Sequence, residues 1–284
     1  MDKLKKLRFF IFRRMPAQFL FFILQNPLIK NFFTGNIYQG NLKMICTPGL
    51  NCYSCPAAIT SCPVGAMQNF LAGTQRGISM FAAGFLLTAG VVFGRFICGY
   101  VCPMGLLQDL MYKIKSPKLI MRLRYAKYIK YIVLVLFVIA LPYAVRHNLS
   151  ELGEPWFCKY ICPSGTIFGA LPLLTVNGFL RGFIGLQFYI KAAGASFLLF
   201  AQVFVYRIFC RTLCPLGAVY SLFNKIAFLR MHHDKSKCSK CGACAKNCAV
   251  CIDPVKTPNS PECVRCGKCK TVCREDALNY FLMK

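Results

Sequence analysis

The stretch RIFCRTLCPLG, residues 207–217, places two cysteines and a proline at the end of a long apolar run. An earlier segment, GRFICGYVCPMGLLQDLMYKI (94–114), matches VYRIFCRTLCPLGAVYSLFNKI (205–226), and both carry an arginine three residues before the first cysteine. Four thiolates brought together by two copies of one unit are the ligands that an iron–sulfur cluster requires. We therefore expect one cluster on Cys98, Cys102, Cys210 and Cys214, with Arg95 and Arg207 stabilising its negative charge.

The Cys-Pro-x-Gly unit occurs four times, beginning at Cys62, Cys102, Cys162 and Cys214. In each half of the chain one such unit precedes an apolar run, and a Cys-x3-Cys-Pro unit follows that run. This repetition predicts a tandem duplication with halves at roughly 46–115 and 156–230.

A second group of cysteines lies at the opposite ends of these runs. Cys158 and Cys162 predict two ligands of another cluster, and CTPGLNCYSCPAAITSCPVG (46–65) offers the others. We favour Cys55 and Cys62, with Cys52 next. Two alternatives stay open for these outer cysteines: disulfides, or small buried apolar side chains.

Composition predicts a mainly α, polytopic membrane protein. The 284 residues are 56% hydrophobic, with 35 Lys and Arg against 9 Asp and Glu and a net charge of +26. Runs of about 20 apolar residues predict four transmembrane helices, at about 17–35, 77–96, 129–146 and 188–209. Two shorter stretches that begin near Cys-Pro, 56–72 and 163–180, predict re-entrant helices, although the second could instead span.

Loop charges predict the orientation. Segment 113–130 carries seven Lys or Arg and no acid, and the N-terminal MDKLKKLRFFIFRRM is also basic, whereas HNLSELGEPWF (147–157) carries two Glu and no Lys or Arg. The positive-inside rule places the first two in the cytoplasm and the third outside. We expect a multi-pass protein of the inner (cytoplasmic) membrane, in contact with lipid, with both termini cytoplasmic. Because the basic residues flank apolar runs, we expect no nucleic-acid binding.

The C-terminal region predicts a small α+β ferredoxin domain over 232–284, after a membrane domain over 1–231. CSKCGACAKNC (238–248) and CVRCGKCKTVC (263–273) both have the C-x2-C-x2-C-x3-C spacing of two [4Fe–4S] clusters, in which the fourth cysteine ligates the other cluster. One set is Cys238, Cys241, Cys244 and Cys273; the other is Cys263, Cys266, Cys269 and Cys248. Ala249 and Arg274 stand where proline usually follows. Cys251 is either a free thiol or an alternative ligand to Cys248.

The chain has three histidines, His147, His232 and His233, and none lies inside an apolar run. Haem held by this chain's own histidines is therefore not expected. Trp156 and Tyr160 predict interfacial anchors.

These motifs resemble the membrane polyferredoxins, a family typified by the quinol dehydrogenase subunit of periplasmic nitrate reduction. The resemblance rests on the two Cys-x3-Cys-Pro units at 98–103 and 210–215 and on the paired ferredoxin runs, and it covers most of the chain. It implies electron movement between the membrane quinone pool or cytoplasmic donors and redox partners on the outer side. The added cysteines at 46–62 and 158–162 depart from simple quinol oxidation, because they offer ligands on both faces.

Three functions stay open at this point. We favour an electron relay across the bilayer, between a cytoplasmic donor or acceptor and an outer-side partner such as a flavoprotein or reductase. The alternatives are a quinol dehydrogenase subunit with bound quinone, and a redox assembly or regulatory factor. No flavin-attachment or nucleotide motif is evident, so we interpret the chain as an electron-transfer subunit of an oxidoreductase complex.

Overall fold

The computed structural model describes residues 14–73, 79–121, 123, 125–145 and 153–282. The protein is mainly helical, as predicted. The N-terminal basic segment up to residue 13 and His147 lie outside the described residues.

Fourteen helices follow one another along the described chain, numbered here in order. They are α1 (Arg14–Gln25), α2 (Asn31–Thr34), α3 (Pro63–Ala72), α4 (Met80–Phe93), α5 (Phe96–Tyr100), α6 (Pro103–Lys113), α7 (Ala126–Ala144), α8 (Gly165–Val176), α9 (Gly178–Arg181), α10 (Leu186–Phe204), α11 (Ile208–Thr212), α12 (Pro215–Phe223), α13 (Ala243–Lys246) and α14 (Lys268–Val272). A 3₁₀ turn covers Asn41–Met44, and a π-helical turn covers Phe157–Ile161.

Two of these helices, α7 and α10, are long and apolar enough to cross a membrane by length and composition. They coincide with the third and fourth predicted spans. Helix α4 covers the described part of the predicted span at 77–96 with 14 residues, and the predicted span at 17–35 is divided between α1 and α2. Proline at position 27 explains the division, because the ring removes a backbone donor and restricts the residue before it.

Two stretches of π-helix precede prolines inside helices. Leu134–Ala140 in α7 is followed by Pro142, and Gly165–Ala170 in α8 is followed by Pro172. A proline cannot donate the hydrogen bond that an α-helix needs at its position, so the preceding turn widens.

The main core of the molecule lies among α3, α4, α6, α7 and α12. Its buried side chains include the cysteines in the middle of α5 and α11 as well as Phe157, Phe209 and Tyr220. Outward-facing positions of α10 expose large apolar side chains, among them Phe197 at 69% and Leu186 at 75%. Removing such surface from water is favourable, so this face suits contact with lipid.

The C-terminal part is the small α+β unit that the sequence predicts. Strands β1 (Leu229–His233) and β2 (Leu278–Leu282) pair antiparallel, with Leu229 opposite Leu282 and His233 opposite Leu278. Helices α13 and α14 lie between them in sequence and pack together. Strand β1 begins three residues before the predicted boundary at 232.

Candidate metal centres

The Cys-Pro-x-Gly units place their cysteines immediately before helices. Cys62, Cys102 and Cys214 are extended, with ψ between 115° and 127°, and cap α3, α6 and α12, each of which begins with proline. Proline favours an extended preceding residue and is preorganised for the first helical position. The unpaired N–H groups and the dipole of a helix N-terminus favour an anionic thiolate there.

In two of the four Cys-Pro-x-Gly units, close packing leaves no room for a side chain at the glycine position. A Cβ on Gly105 would lie 2.7 Å from the carbonyl oxygen of Cys98, and a Cβ on Gly217 would lie 2.8 Å from that of Cys210. Both contacts are to backbone, which cannot rotate away as a side chain can. Glycine therefore lets each Cys-x3-Cys loop fold back tightly against the helix that follows it.

The two matching units bring four buried thiols together in what we call the inner group. Each of the four thiols is close enough to others in the group to interact with them electrostatically, and the thiols of Cys210 and Cys214 are hydrogen-bonded to each other. The inner group consists of Cys98, Cys102, Cys210 and Cys214. The backbone N–H of Leu50 donates to the Cys102 sulfur at 3.3 Å, and Gln108 Nε2 donates to the Cys210 sulfur at 2.8 Å.

Two fully buried arginines link the copies reciprocally. Arg207 of the second copy donates to the carbonyl oxygen of Cys98, and Arg95 of the first copy donates to that of Cys210 at 3.0 Å. Asp109 pairs with Arg207 at 2.6 Å, whereas Arg95 pairs with Glu262 at 3.5 Å. The guanidinium groups thus bind the backbone of the cysteine loops and bring positive charge close to the inner group.

Five other cysteines border a cavity of about 870 Å³, and four of them lie close to one another. Cys158 lies in the electrostatic neighbourhood of the other three, and Gln68 Nε2 donates to its sulfur at 3.2 Å. We call these four the outer group: Cys52, Cys62, Cys158 and Cys162.

The two further cysteines of this region make other contacts. The Cys55 thiol lies 3.7 Å from Asn26 Oδ1 and packs in a small apolar cluster with Ala57 and Ala58. Cys46 borders the cavity but bonds to Ser61. The structure therefore places Cys52, rather than the favoured Cys55, beside the other three thiols. None of the ten cysteines between positions 46 and 214, all within the described ranges, is in a disulfide.

The ferredoxin cysteines separate into the two predicted sets. Cys238, Cys241, Cys244 and Cys273 border a cavity of about 160 Å³, which we call the distal group. The other four, Cys248, Cys263, Cys266 and Cys269, are electrostatic neighbours and form the proximal group. The fourth cysteine of each run has thus crossed to the other set. Cys251 borders a separate cavity beside Arg211.

Left-handed backbone conformations accompany both runs. Gly242 and Gly267, which follow the second cysteine of each run, have φ of 71° and 78°. Glycine adopts such angles without the steric cost that a Cβ brings. Lys240 and Arg265, which precede those cysteines, are also left-handed, at 54° and 49°. The matching φ angles show that the two cysteine runs have the same local backbone conformation.

The loop that carries the proximal group packs directly against the loop that carries Cys98 and Cys102. A Cβ on Gly99 would lie 2.7 Å from the carbonyl oxygen of Val264, so the two backbones are in close contact. Arg265 is fully buried and donates to the carbonyl oxygens of Phe93, at 2.9 Å, and Asn224, at 2.8 Å. The distal group faces the solvent, where Cys241 is exposed and the backbone N–H of Ala243 lowers the pKa of its thiol.

The donor sets fit iron–sulfur clusters. Each group offers four cysteine sulfurs, the ligands such clusters use. Around the inner group these sulfurs receive amide hydrogen bonds and lie near buried cations, both of which favour anionic thiolates. In the described part of the chain, no three Cys, His, Asp or Glu side chains are close enough together to hold a single metal ion.

Sequence reasoning missed the two glutamines and two lysines that contact these loops. Lys191 Nζ donates to the carbonyl oxygen of Cys158 at 2.7 Å, and Lys43 Nζ to that of Ala58 at 2.9 Å. Nothing in the local sequence marks these lysines. Gln68 and Gln108 do carry a signal, because each stands six residues after the cysteine of a Cys-Pro-x-Gly unit.

The sequence of this chain is similar to those of several known proteins. A family described as a 4Fe-4S binding domain matches residues 74–122, 149–184 and 192–234. An uncharacterised protein of Methanocaldococcus jannaschii is 28% identical over 77% of this chain and 85% of its own length. The ferredoxin-type protein NapH of Escherichia coli is 25% identical, over 75% of this chain and 72% of NapH. Protein NirI of Paracoccus denitrificans is 29% identical over 69% of this chain, which spans 27% of NirI. No solved structure matches.

Proposed function

Because the chain belongs to the membrane-associated polyferredoxin family, we propose that it relays electrons across the bilayer through four iron–sulfur clusters. The observation that carries this proposal is the order of the thiol groups. Cys241 of the distal group is exposed to solvent, and the loop of the proximal group packs on the loop of the inner group. The outer group follows directly, because Leu50, two residues before Cys52, donates to the Cys102 sulfur, and Tyr220 lies close to Cys62 as well as to Cys102. Iron–sulfur clusters supply one-electron carriers at such positions.

The proposed ligands are the sixteen cysteines of these groups, with Cys52 replacing Cys55 in the outer set. The membrane interior disfavours a moving charge, so carriers at intermediate depth provide a route across it. The residues of this chain hold each carrier in place and exclude water from the inner group, whose four thiols are at most 5% exposed. Burial of this kind limits side reactions of a reduced centre.

The proposal includes the topology that the loop charges predict. Four membrane segments and two re-entrant helices would place both termini and the ferredoxin domain in the cytoplasm. The outer group would then open toward the outer side. Its cavity of about 870 Å³ is within the range of small-molecule sites. The terminal redox partner, a flavoprotein or reductase on that side, would dock there.

Two aromatic side chains lie between the proximal and inner groups. Tyr100 is 2% exposed and Tyr206 is 3% exposed, and both lie in the electrostatic neighbourhood of Cys266. Phe96 stacks on Tyr100 with ring centroids 4.1 Å apart. These rings fill the contact between the two parts of the chain and keep it free of water, which holds the proposed carriers at a fixed separation.

A quinol dehydrogenase subunit remains the second candidate, and the observation that favours it is the same outer cavity. Phe70, Phe81 and Met44 give its wall an apolar character, which suits a quinone ring. Reduction of the clusters by added quinol in the purified protein would favour this candidate. Reduction only by a cytoplasmic ferredoxin-type donor would favour the relay.

Anaerobic purification with iron and sulfide quantitation tests the relay. Four cubanes give about sixteen irons per chain, whereas about eight would mean that the ferredoxin domain alone is loaded. Cys102→Ser and Cys214→Ser should each remove the same cluster signal in electron paramagnetic resonance, because both belong to the inner group. Cys46→Ser is the matched control and should keep all signals. Unchanged spectra in both inner-group variants would refute the assignment.

A further inference from the structure

Gln68 and Gln108 occupy equivalent places in the outer and inner groups. Gln108 lies on α6, six residues after Cys102, and Gln68 lies on α3, six residues after Cys62. Both side chains are fully buried, at 0% exposure. Nothing in the composition of either helix requires a buried amide at this position.

The two amides make the same contact with sulfur. Nε2 of Gln108 donates to the Cys210 sulfur at 2.8 Å, and Nε2 of Gln68 donates to the Cys158 sulfur at 3.2 Å. In both cases the acceptor is the first cysteine of the Cys-x3-Cys-Pro unit from the other half of the chain. The glutamine therefore connects the two halves at each group.

Two further hydrogen bonds fix each amide. Nε2 also donates to the carbonyl oxygen four residues earlier, Met104 at 3.2 Å for Gln108 and Val64 at 3.3 Å for Gln68. Oε1 accepts from backbone beside the target cysteine: the Cys210 N–H at 3.5 Å for Gln108, and the Phe157 N–H at 2.9 Å for Gln68. The oxygen is thereby committed to the backbone, so the donor end of the amide must face the sulfur.

The second half of the chain has no glutamine at the equivalent positions. The positions six residues after Cys162 and Cys214 hold Phe168 and Tyr220, and the Tyr220 hydroxyl donates to the carbonyl oxygen of Pro48 at 2.8 Å. Each group thus receives one amide, always from the first half. The shared plan also indicates that the outer and inner groups are sites of one kind.

We propose that Gln108 and Gln68 are positioning residues that raise the reduction potentials of the inner and outer clusters, respectively. The inference rests on the proposed function, because it concerns clusters on those thiols. Hydrogen bonds to cysteine sulfur are among the factors that set a cluster's potential. One-electron reduction adds negative charge to the centre, so a donor aimed at a ligand sulfur stabilises the reduced state more than the oxidised state.

The test is a redox titration monitored by electron paramagnetic resonance on the anaerobically purified full chain. Gln108→Met and Gln68→Met keep side-chain length and remove the donor. We expect each to disfavour reduction of one cluster about tenfold, a downward shift of about 59 mV for one electron, and the two variants to shift different signals. Gln202→Met is the control, since Gln202 is also fully buried but bonds to no sulfur in the described structure.

Unchanged midpoints in both variants, or an equal shift in the control, would overturn the inference. A second measurement does not depend on whether a variant assembles. In wild-type protein labelled with ¹⁵N at glutamine side chains, pulsed resonance should detect nitrogen coupling to the inner and outer clusters, and its absence would also overturn the inference. Failure of the proposed function looks different: wild-type protein would then lack the inner and outer signals altogether.

Discussion

Glu262 ties the C-terminal unit that contains β1 and β2 to the preceding helical part of the chain, and its replacement by glutamine should loosen that contact. The residue immediately precedes Cys263 of the proximal group. Its carboxylate pairs with Lys130 at 2.7 Å and with Arg95 at 3.5 Å, and both cations are fully buried. The substitution Glu262→Gln keeps the shape of the side chain but leaves two buried positive charges without their shared partner.

The structure sets the size of the effect. With an effective dielectric constant of about 20, the two attractions are worth roughly 6 and 5 kcal/mol before desolvation. Desolvation offsets much of this, and Glu262 retains 17% exposure, so water screens the pair in part. Removing one partner of a buried ion pair typically costs about 3–5 kcal/mol. At about 1.4 kcal/mol for each factor of ten, local opening should become about 10²- to 10³-fold more frequent.

Hydrogen exchange of the cluster-loaded protein, followed by mass spectrometry, measures this opening. Peptides covering residues 258–268 should exchange about 10²- to 10³-fold faster in Glu262→Gln, whereas peptides from α10 should be unchanged. Asp234→Asn is the matched control, because the Asp234–Lys237 pair is 3.9 Å long and largely exposed, and such pairs contribute little. Equal exchange in wild type and Glu262→Gln, or equal acceleration in the control, would refute the docking role of this ion pair.

Three further results follow from the structure. Gly99→Ala should weaken the same docking contact and speed hydrogen exchange at 258–268, since its Cβ would lie 2.7 Å from the carbonyl oxygen of Val264. The control is Gly194→Ala on α10, where a Cβ would meet no other atom. That variant should leave exchange at 258–268 unchanged, and it should stabilise its own helix by up to about 1 kcal/mol. Cys52→Ser should remove the outer cluster signal, and Cys55→Ser should retain it; the opposite outcome would restore the sequence-based choice. Burial opposes ionisation of Asp109, but its two arginine partners outweigh it and lower its pKa to about 2. Because the unfolded carboxyl titrates near about 3.9, the contribution of about 2–3 kcal/mol is complete above that pH and is lost toward pH 2. The free energy of unfolding of wild type should therefore fall more steeply across that window than that of Asp109→Asn, and equal slopes would contradict this role of Asp109.

Sequence periodicity could predict the helical class and the two long apolar helices, because each depends on a local pattern. The antiparallel pairing of β1 with β2 was not predicted, because it joins the two ends of the C-terminal unit. The grouping of the inner thiols also followed from the sequence, since two copies of one motif predict two-fold related positions. The sequence did not predict where the apolar helices begin and end near their prolines. At Pro142 and Pro172 the helices continue through π-helical turns, whereas at Pro27 the helix ends, and tertiary packing decides between these outcomes.

The outer ligands show where motif spacing stops being informative. Cys52 and Cys55 lie on the same short loop, and both are plausible from sequence because the loop has no regular period. Their difference is three-dimensional: Cys52 lies against Gly165 and Gly169 of α8, at 3.8 Å and 3.5 Å from their ideal Cβ positions, whereas Cys55 turns toward Asn26. The contacts of Lys43 and Lys191 were equally invisible, because each joins segments far apart in sequence.

The two copies of the duplicated unit differ in how their buried arginines are neutralised, and this difference explains the position of the ferredoxin domain. The first copy carries Asp109, which pairs with Arg207 of the second. The equivalent position in the second copy is Ser221, whose hydroxyl is bonded to Tyr131 at 2.7 Å and offers no charge. Among the described residues Arg95 pairs with no acid of the preceding helical part of the chain, and it pairs instead with Glu262 of the C-terminal unit. An arginine buried without a carboxylate would be costly, so the electrostatics of the inner group are complete only when the proximal group is docked beside it. The same ion pair that lowers this cost would thus hold the proposed inner and proximal clusters next to each other, which would link assembly of the proposed relay to its conduction.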